Sequence, residues 1–315
     1  MSAFVFVTPT WDPAPWAEAM RNAAPALDVR IWPEAGDVRD IRYAACWLPP
    51  ANVVKSFPNL QVIFSLGAGV DAILSDPTLP THVPIVRVND DDLTNRMSEF
   101  IVMHVLMHHR QQLRLSKNQR ESVWDAFSQH AAKDMVVGIM GFGVLGQDAA
   151  QKLRVMGFQV RGWSRTEKHI DGVESFAGGA QRDDFLSGTD ILVSLLPATK
   201  ETDGIINRSL ISKLSRKGPF AAPVLINAGR GRQQDEDDIL ACLDDGSLYA
   251  ASLDVFRSEP LPAASRFWNH PNVMISPHTA ADSDPATICT YIARQIVAHE
   301  SGKILQNQID IASGY

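Results

Sequence analysis

Only three cysteines occur in the 315 residues, Cys46, Cys242 and Cys289, far apart, with no CxxC pair and no metal-ligand spacing. A disulfide framework is thereby disfavoured, and a reducing, cytoplasmic setting is expected. Long hydrophobic runs are missing too, since no stretch approaches the ~20 apolar residues of a membrane span. The opening MSAFVFVTPTWDP carries no basic leader and reaches Pro9 after a short apolar run, so it reads as a first strand rather than a signal peptide. Basic charge is not in excess: Lys plus Arg number 29 against 36 for Asp plus Glu, a formal net charge of −7, with no long block of either sign. Neither nucleic acid nor a membrane surface is therefore expected as a partner. Repeats at solenoid periods and low-complexity tracts are also absent, which excludes repeat arrays and disordered linkers.

What remains is the composition of a soluble globular enzyme, 45% hydrophobic and 21% charged, in a chain long enough for two cores. Short apolar runs at Phe4 to Val7, Val29 to Trp32, Ala44 to Trp47, Val62 to Leu66 and Ile85 to Val88 read as buried parallel strands, with helix-like segments between them. They predict a small doubly wound α/β unit over roughly the first hundred residues. From Ser98 the segment SEFIVMHVLMHHRQQLRLSKNQ holds no Gly or Pro and predicts one helix of about six turns joining two domains. His104 and His108 stand four apart within it, but no HExxH glutamate accompanies them, and no metal site is expected. A second series of six strands follows, at Val136 to Met140, Gln159 to Trp163, Ile191 to Leu195, Val224 to Asn227, Ala250 to Leu253 and Val273 to Ser276. A helical stretch around Ala286 to Glu300 closes the chain.

Directly after the first strand of that second series stands G-x-G-x-x-G, at Gly141, Gly143 and Gly146, with Val144 and Leu145 opening an amphipathic helix. Alone, the pattern fits any strand-to-helix turn. Between a strand and a helix it predicts a dinucleotide site, with the pyrophosphate at the helix N-terminus. The end of the next strand selects the dinucleotide. An NAD site usually places a carboxylate there for the ribose 2′-hydroxyl, and here stand Ser164, Arg165 and Thr166. A guanidinium and two hydroxyls suit a 2′-phosphate, so NADP(H) is expected, with weaker NAD(H) use.

Three further segments place an ionisable residue just past a predicted strand: LINAGRG with Arg230, LDVFRSEP with Glu259 and ISPHTA with His278. Together they match the reduction of a 2-oxo acid, with Arg for the carboxylate, His for the proton and Glu to favour the imidazolium. Taken singly, each has an ordinary alternative: a loop cap for His278, a solvated turn for Glu259, a surface ion pair for Arg230.

With SLGAGVD at 65 to 71, LPATKET at 196 to 202, INAGRG at 226 to 231, LDVFRSEPLP at 253 to 262 and HPNVMISPHTAA at 270 to 281, the chain resembles the D-isomer-specific 2-hydroxyacid dehydrogenases over nearly its whole length. Its nearest likeness is to their glyoxylate/hydroxypyruvate reductase branch. The resemblance implies two doubly wound α/β domains with parallel sheets. Residues 101–280 would form a Rossmann-type dinucleotide-binding domain, and residues 1–100 with 281–315 a flavodoxin-like substrate domain. It also implies a homodimer and a small-molecule 2-oxo acid substrate. By the same resemblance Arg230 looks like the substrate-carboxylate arginine, His278 the acid/base and Glu259 its orienting partner. The backbone amides of Ala68 and Gly69 look like a second carboxylate clamp, and Asp254 like the residue that meets the nicotinamide carboxamide. Leu196, Pro197 and Thr202 lie in a loop passing along the cofactor, with Ala228 and Ala280 beside it. Trp47 and Met97 match positions that line the substrate pocket, though both residue types also suit a core.

Two departures stand out. Gly229 precedes the arginine where Ala or Ser is common, and Arg232, Gln233 and Gln234 follow where an apolar pair is common, which leaves the local flexibility beside Arg230 an open question. Leu48 stands where a polar residue occurs in related reductases, bearing on preference among small oxo acids. Two other readings stay open at this point: a bulkier 2-oxo acid as substrate, and a non-catalytic protein that senses NADP(H) on the same fold.

Overall fold

The computed structural model describes residues 2–67, 69–88, 90–220 and 222–311. The chain divides into two compact units, Met1–Leu93 with Asp282–Tyr315, and Thr94–Ala281.

In the first unit five parallel strands, β1 (Ala3–Val7), β2 (Asp28–Ile31), β3 (Ile41–Cys46), β4 (Val62–Ser65) and β5 (Ile85–Arg87), lie in the order β2-β1-β3-β4-β5. That is the flavodoxin-like order, with its switch point between β1 and β3. Both faces of the sheet are covered, which is why its strands are continuous apolar runs. Phe4 and Phe6 of β1 pack on one face with Trp16, Met20, Ile288 and Ile292. Ala3, Val5 and Val7 pack on the other with Ile63, Ile73 and Val83. The chain's last segment returns here: the helix Pro285–Glu300 is capped by the Asp284 carboxylate on the Thr287 amide at 2.8 Å, and residues beyond it pair antiparallel with β5.

The second unit holds seven parallel strands: β6 (Val136–Met140), β7 (Gln159–Ser164), β8 (Glu174–Ala177), β9 (Ile191–Ser194), β10 (Val224–Asn227), β11 (Ala250–Leu253) and β12 (Val273–Ile275). Their order is β12-β11-β10-β9-β6-β7-β8, so the order reverses between β6 and β9. Six strands coincide with the apolar runs of the sequence. The seventh, β8, reads Glu-Ser-Phe-Ala, none of it buried; an edge strand needs no apolar run, and periodicity could not announce it.

The expected single helix from Ser98 is corrected at both ends. It begins at Asp91, where the Asp90 carboxylate accepts the Leu93 amide at 3.0 Å, and stops at His109. Gln111 turns left-handed at φ 56°, and a separate helix Gln112–Arg120 follows that buries no residue. Continuous packing ends with the apolar stripe, and nothing beyond His109 rewards a continued helix. No helix among the described residues is long and apolar enough to cross a membrane.

That first helix docks through its histidines. His104 Nδ1 and His108 Nε2 each lie 2.8 Å from the Ser252 hydroxyl of β11. Burial pushes His104 down to about 4, against the opposing pull of the Asp254 charge. Burial, with the neighbouring His104, takes His108 down to about 3. Both rings are therefore neutral in the fold near neutral pH, whereas in the unfolded chain they titrate near 6.5. Above that pH the two states bind protons alike. As pH falls from 6.5 towards 4 the unfolded chain alone takes them up, and each histidine costs about 1.4 kcal/mol of stability per pH unit. Urea unfolding at pH 7.0 and 5.5 should show this loss, and His108→Gln should lessen the difference; an equal difference in both proteins would refute the account.

Candidate active site

Every candidate loop of the second unit leaves the C-terminal end of a strand in its parallel sheet, the edge where open α/β sheets take ligands. After β6 the chain makes a turn that only glycine permits. Gly141 has φ +98°, and a Cβ there would lie 2.6 Å from the carbonyl of Leu195, at the end of β9 across the switch point. At Gly146 a Cβ would meet the Gly141 carbonyl at 2.6 Å, so helix and strand pack backbone to backbone. Around Gly143 a Cβ would meet nothing within 4 Å, and Gly143 and Val144 are exposed at the start of the helix Val144–Val155. Leu145 turns inward against the core. A turn closed on two sides and open on the third, at a helix N-terminus, fits a pyrophosphate.

At the end of β7, the Ser164 hydroxyl donates to the Thr166 carbonyl at 2.7 Å, while Arg165 and Thr166 are exposed. Glu201, held below the usual carboxylate range first by its own backbone amide and then by Thr199, also feels the charge of Arg165. Arg165 therefore lies towards the loop after β9. Thr202 shapes that loop: its hydroxyl donates to the Pro197 carbonyl at 2.6 Å and accepts the Thr199 amide at 2.8 Å. Leu196 is buried at its root.

Opposite, the reactive groups converge. Glu259 Oε2 lies 2.8 Å from His278 Nδ1, and Oε1 accepts the Phe256 amide at 2.9 Å. Burial pushes the Glu259 carboxyl up, but the hydrogen bonds from His278 and Phe256 and the charges of His278 and Arg230 outweigh it and hold the group below its usual value. Arg230, whose Nη1 donates to the Gly229 carbonyl at 2.8 Å, is thus part of the same electrostatic cluster. His278 has φ +57°, a left-handed conformation uncommon for a side chain of its size. It is held there by Asp254, whose carbonyl accepts the His278 amide at 2.8 Å. The Asp254 carboxylate, 1% exposed, takes the Ser276 hydroxyl at 2.6 Å and the Thr279 amide at 2.9 Å on Oδ1 and the Ala280 amide at 3.1 Å on Oδ2. The structure thus gives Asp254 a loop-holding task beside any contact with a cofactor.

Met97, Ala228 and Ala280 are buried in the core of this unit. For Met97 the structure supplies a packing role, and a place in a substrate pocket stays an implication of the resemblance. In the first unit Trp47 follows β3 at the switch point and lies against Gly67, where a Cβ would collide with its ring. Ser65 Oγ lies 3.0 Å and 2.7 Å from the carbonyls of Gly67 and Gly69 and so shapes the SLGAG loop. Ala68 lies outside the described residues. Leu48 is 48% exposed with φ 47°.

Beside Arg230 the chain is tied down. Gln233 and Gln234 are both fully buried, and their amides are hydrogen-bonded on either side of the arginine loop. The signal of a buried network lies in Asn227 and Ser194, polar residues ending otherwise apolar strands.

Comparison with known proteins shows the family. The sequence model of the D-isomer specific 2-hydroxyacid dehydrogenase NAD-binding domain matches residues 102–280. Glyoxylate/hydroxypyruvate reductase A of Serratia proteamaculans is 41% identical over 316 residues, covering 99% of each chain. Among solved structures, the NADPH-dependent glyoxylate/hydroxypyruvate reductase of Sinorhizobium meliloti in complex with NADP and sulfate superposes with a TM-score of 0.95 at 46% identity, over 100% of both chains. A probable 2-hydroxyacid dehydrogenase of Rhizobium etli, bound to NADP, HEPES and tartaric acid, gives 0.93 at 44% identity, over 100% of this chain and 99% of that one.

Proposed function

The chain belongs to the D-isomer specific 2-hydroxyacid dehydrogenase family, and from that membership we propose that it reduces a small 2-oxo acid, glyoxylate or hydroxypyruvate, to the D-2-hydroxy acid with NADPH. The observation that carries the reading is the Glu259–His278 pair, 2.8 Å apart, on the same sheet edge as the glycine turn. The relatives' names supply the substrates, and the bound NADP of the solved neighbours supports the cofactor.

NADPH supplies a hydride for the carbonyl carbon. The glycine turn at Gly141, Gly143 and Gly146 would hold its pyrophosphate, and Ser164, Arg165 and Thr166 its 2′-phosphate. Arg230 would take the substrate carboxylate. His278 has Nδ1 engaged by Glu259, so Nε2 is the nitrogen that hands a proton to the carbonyl oxygen as negative charge grows there. Glu259, anionic across the neutral range, favours the imidazolium that this step consumes.

The homodimer is proposed on the segment after the helix Gln112–Arg120. There Trp124 is 98% and Val123 49% exposed, an apolar surface that a second copy would cover. The three cysteines, all free and buried, suit the cytoplasm, and cell fractionation checks this. Trp124→Asp should shift the protein from dimer to monomer in sedimentation velocity; a wild-type monomer would remove the proposal.

For the cofactor, kcat/KM should be higher with NADPH than with NADH, and Arg165→Ala should abolish most of that preference. A wild type that favours NADH would contradict the 2′-phosphate assignment.

The reaction itself is tested with glyoxylate, hydroxypyruvate and phenylpyruvate in a steady-state assay. His278→Ala should lower kcat by about 10²–10⁴-fold with little change in NADPH affinity. Arg230→Ala should raise KM as well as lower kcat, since it binds the carboxylate in ground and transition states alike. Glu259→Gln keeps the shape but withdraws the carboxylate that engages His278 Nδ1, so kcat should fall while NADPH affinity changes little. A near-normal kcat for His278→Ala would end the proton assignment.

A further inference from the structure

We propose that Gln233 and Gln234 are positioning residues that brace the Arg230 loop between its two neighbours, and that Gly229 exists to make room for Gln233; this deepens the reductase reading and rests on it. The loop in question leaves β10, and the pair follows the arginine by three and four residues.

Gln233 reaches towards the cofactor side. Its Nε2 donates to the carbonyl of Leu196, and at 3.3 Å to that of Pro197, in the loop after β9. Its Oε1 accepts the Ser194 hydroxyl at 3.0 Å, from the end of β9 itself, and its own amide donates to the Arg230 carbonyl at 3.2 Å. Gln234 reaches the opposite way. Its Nε2 donates at 2.9 Å to the carbonyl of Val255, next to Asp254 in the loop that carries Glu259, and at 3.4 Å to Glu236. Its Oε1 accepts Asn227 Nδ2 at 2.8 Å, and the same Asn227 receives the Gly229 amide on Oδ1 at 3.1 Å. Two adjacent amides thus tie one loop to the cofactor loop on one side and to the loop that carries Glu259 on the other. All four of their polar side-chain atoms have partners in a fully buried setting.

Gly229 belongs to the same device. A Cβ there would lie 2.8 Å from Gln233 Oε1 and 2.9 Å from the Leu196 carbonyl, the oxygen that Gln233 itself draws in. A side chain at 229 and the present place of the Gln233 amide therefore compete for the same space.

The brace acts through Arg230 and the cofactor loop, so it is read in binding constants rather than in the proton step. Gln233→Glu keeps the size and the acceptor for Ser194 but turns a donor into a carboxylate facing two carbonyls. It should raise KM for glyoxylate and the inhibition constant of oxalate about tenfold, raise the Kd of NADPH several-fold by fluorescence titration, and leave kcat within about threefold. Gly229→Ala should do the same. The double variant Gly229→Ala/Gln233→Val removes the clash with Oε1 and the bond that draws in the Leu196 carbonyl, and should lie closer to wild type than the product of the single effects. A part in stability alone would lower the melting temperature and leave KM, oxalate inhibition and NADPH affinity unchanged, and that result overturns the proposal, as do purely multiplicative effects. Should Gln233→Glu fail to fold, Gly229→Ala and the double variant decide. A wild type inactive on every 2-oxo acid would instead sink the reductase reading, a separate outcome from an active wild type whose variants bind normally.

Discussion

The buried carboxylate of Asp254 is the group on which the reactive loop depends. It takes hydrogen bonds from Ser276, Thr279 and Ala280, and its main-chain carbonyl takes the amide of His278. A left-handed histidine carries a conformational cost of order 1 kcal/mol, and it persists only where the surroundings over-determine it. Four bonds from one residue do that here. They set the imidazole where Glu259 can reach Nδ1, so the geometry of the proposed proton donor is decided by an aspartate outside the Glu259–His278 pair.

That arrangement requires the Asp254 carboxylate to stay directed at the loop rather than at the helix Asp91–His109. His104, close enough to feel its charge, is the competitor. As an imidazolium it would draw the carboxylate towards the helix Asp91–His109 and away from the loop. Burial keeps it neutral, and the Ser252 hydroxyl, two residues before Asp254 on the same face of the strand, occupies both its Nδ1 and His108 Nε2. The histidine pair that might pass for a metal motif is thus better understood as a polar joint between helix and sheet.

Legibility in the sequence followed burial. The strands packed on both faces write themselves as apolar runs, and β10 and β11 begin and end where those runs do. The half-exposed edge strand β8 does not, nor does the break at Gln111, which reflects where packing stops rather than any Gly or Pro. The glycine turn was legible because Gly141 and Gly146 are each forced by a backbone atom across from them. Arg230, Glu259 and His278 were legible because each follows a strand end. Hidden were the residues that shape the loops: Asp254 as an anchor for the His278 loop, the glutamine pair beside Arg230 and, in the other unit, Ser65 behind the SLGAG turn. A hydrogen bond between side chain and distant backbone leaves no period in the sequence.

The glutamine pair also marks the limit of reading polar residues as surface. An apolar pair fills space without preferred direction, whereas a buried amide needs partners at defined distances and angles, and leaving one atom unmet costs about 1–3 kcal/mol. Such a pair is tolerable only as a complete set. Ser194, Asn227, Gly229, Gln233 and Gln234 form that set, since each supplies a bond or a space another requires. Changing one alone disturbs a neighbour, so the five residues are physically one character of the chain, and the carbonyls they hold at Leu196 and Val255 link the cofactor loop and the Glu259 loop to the arginine between them.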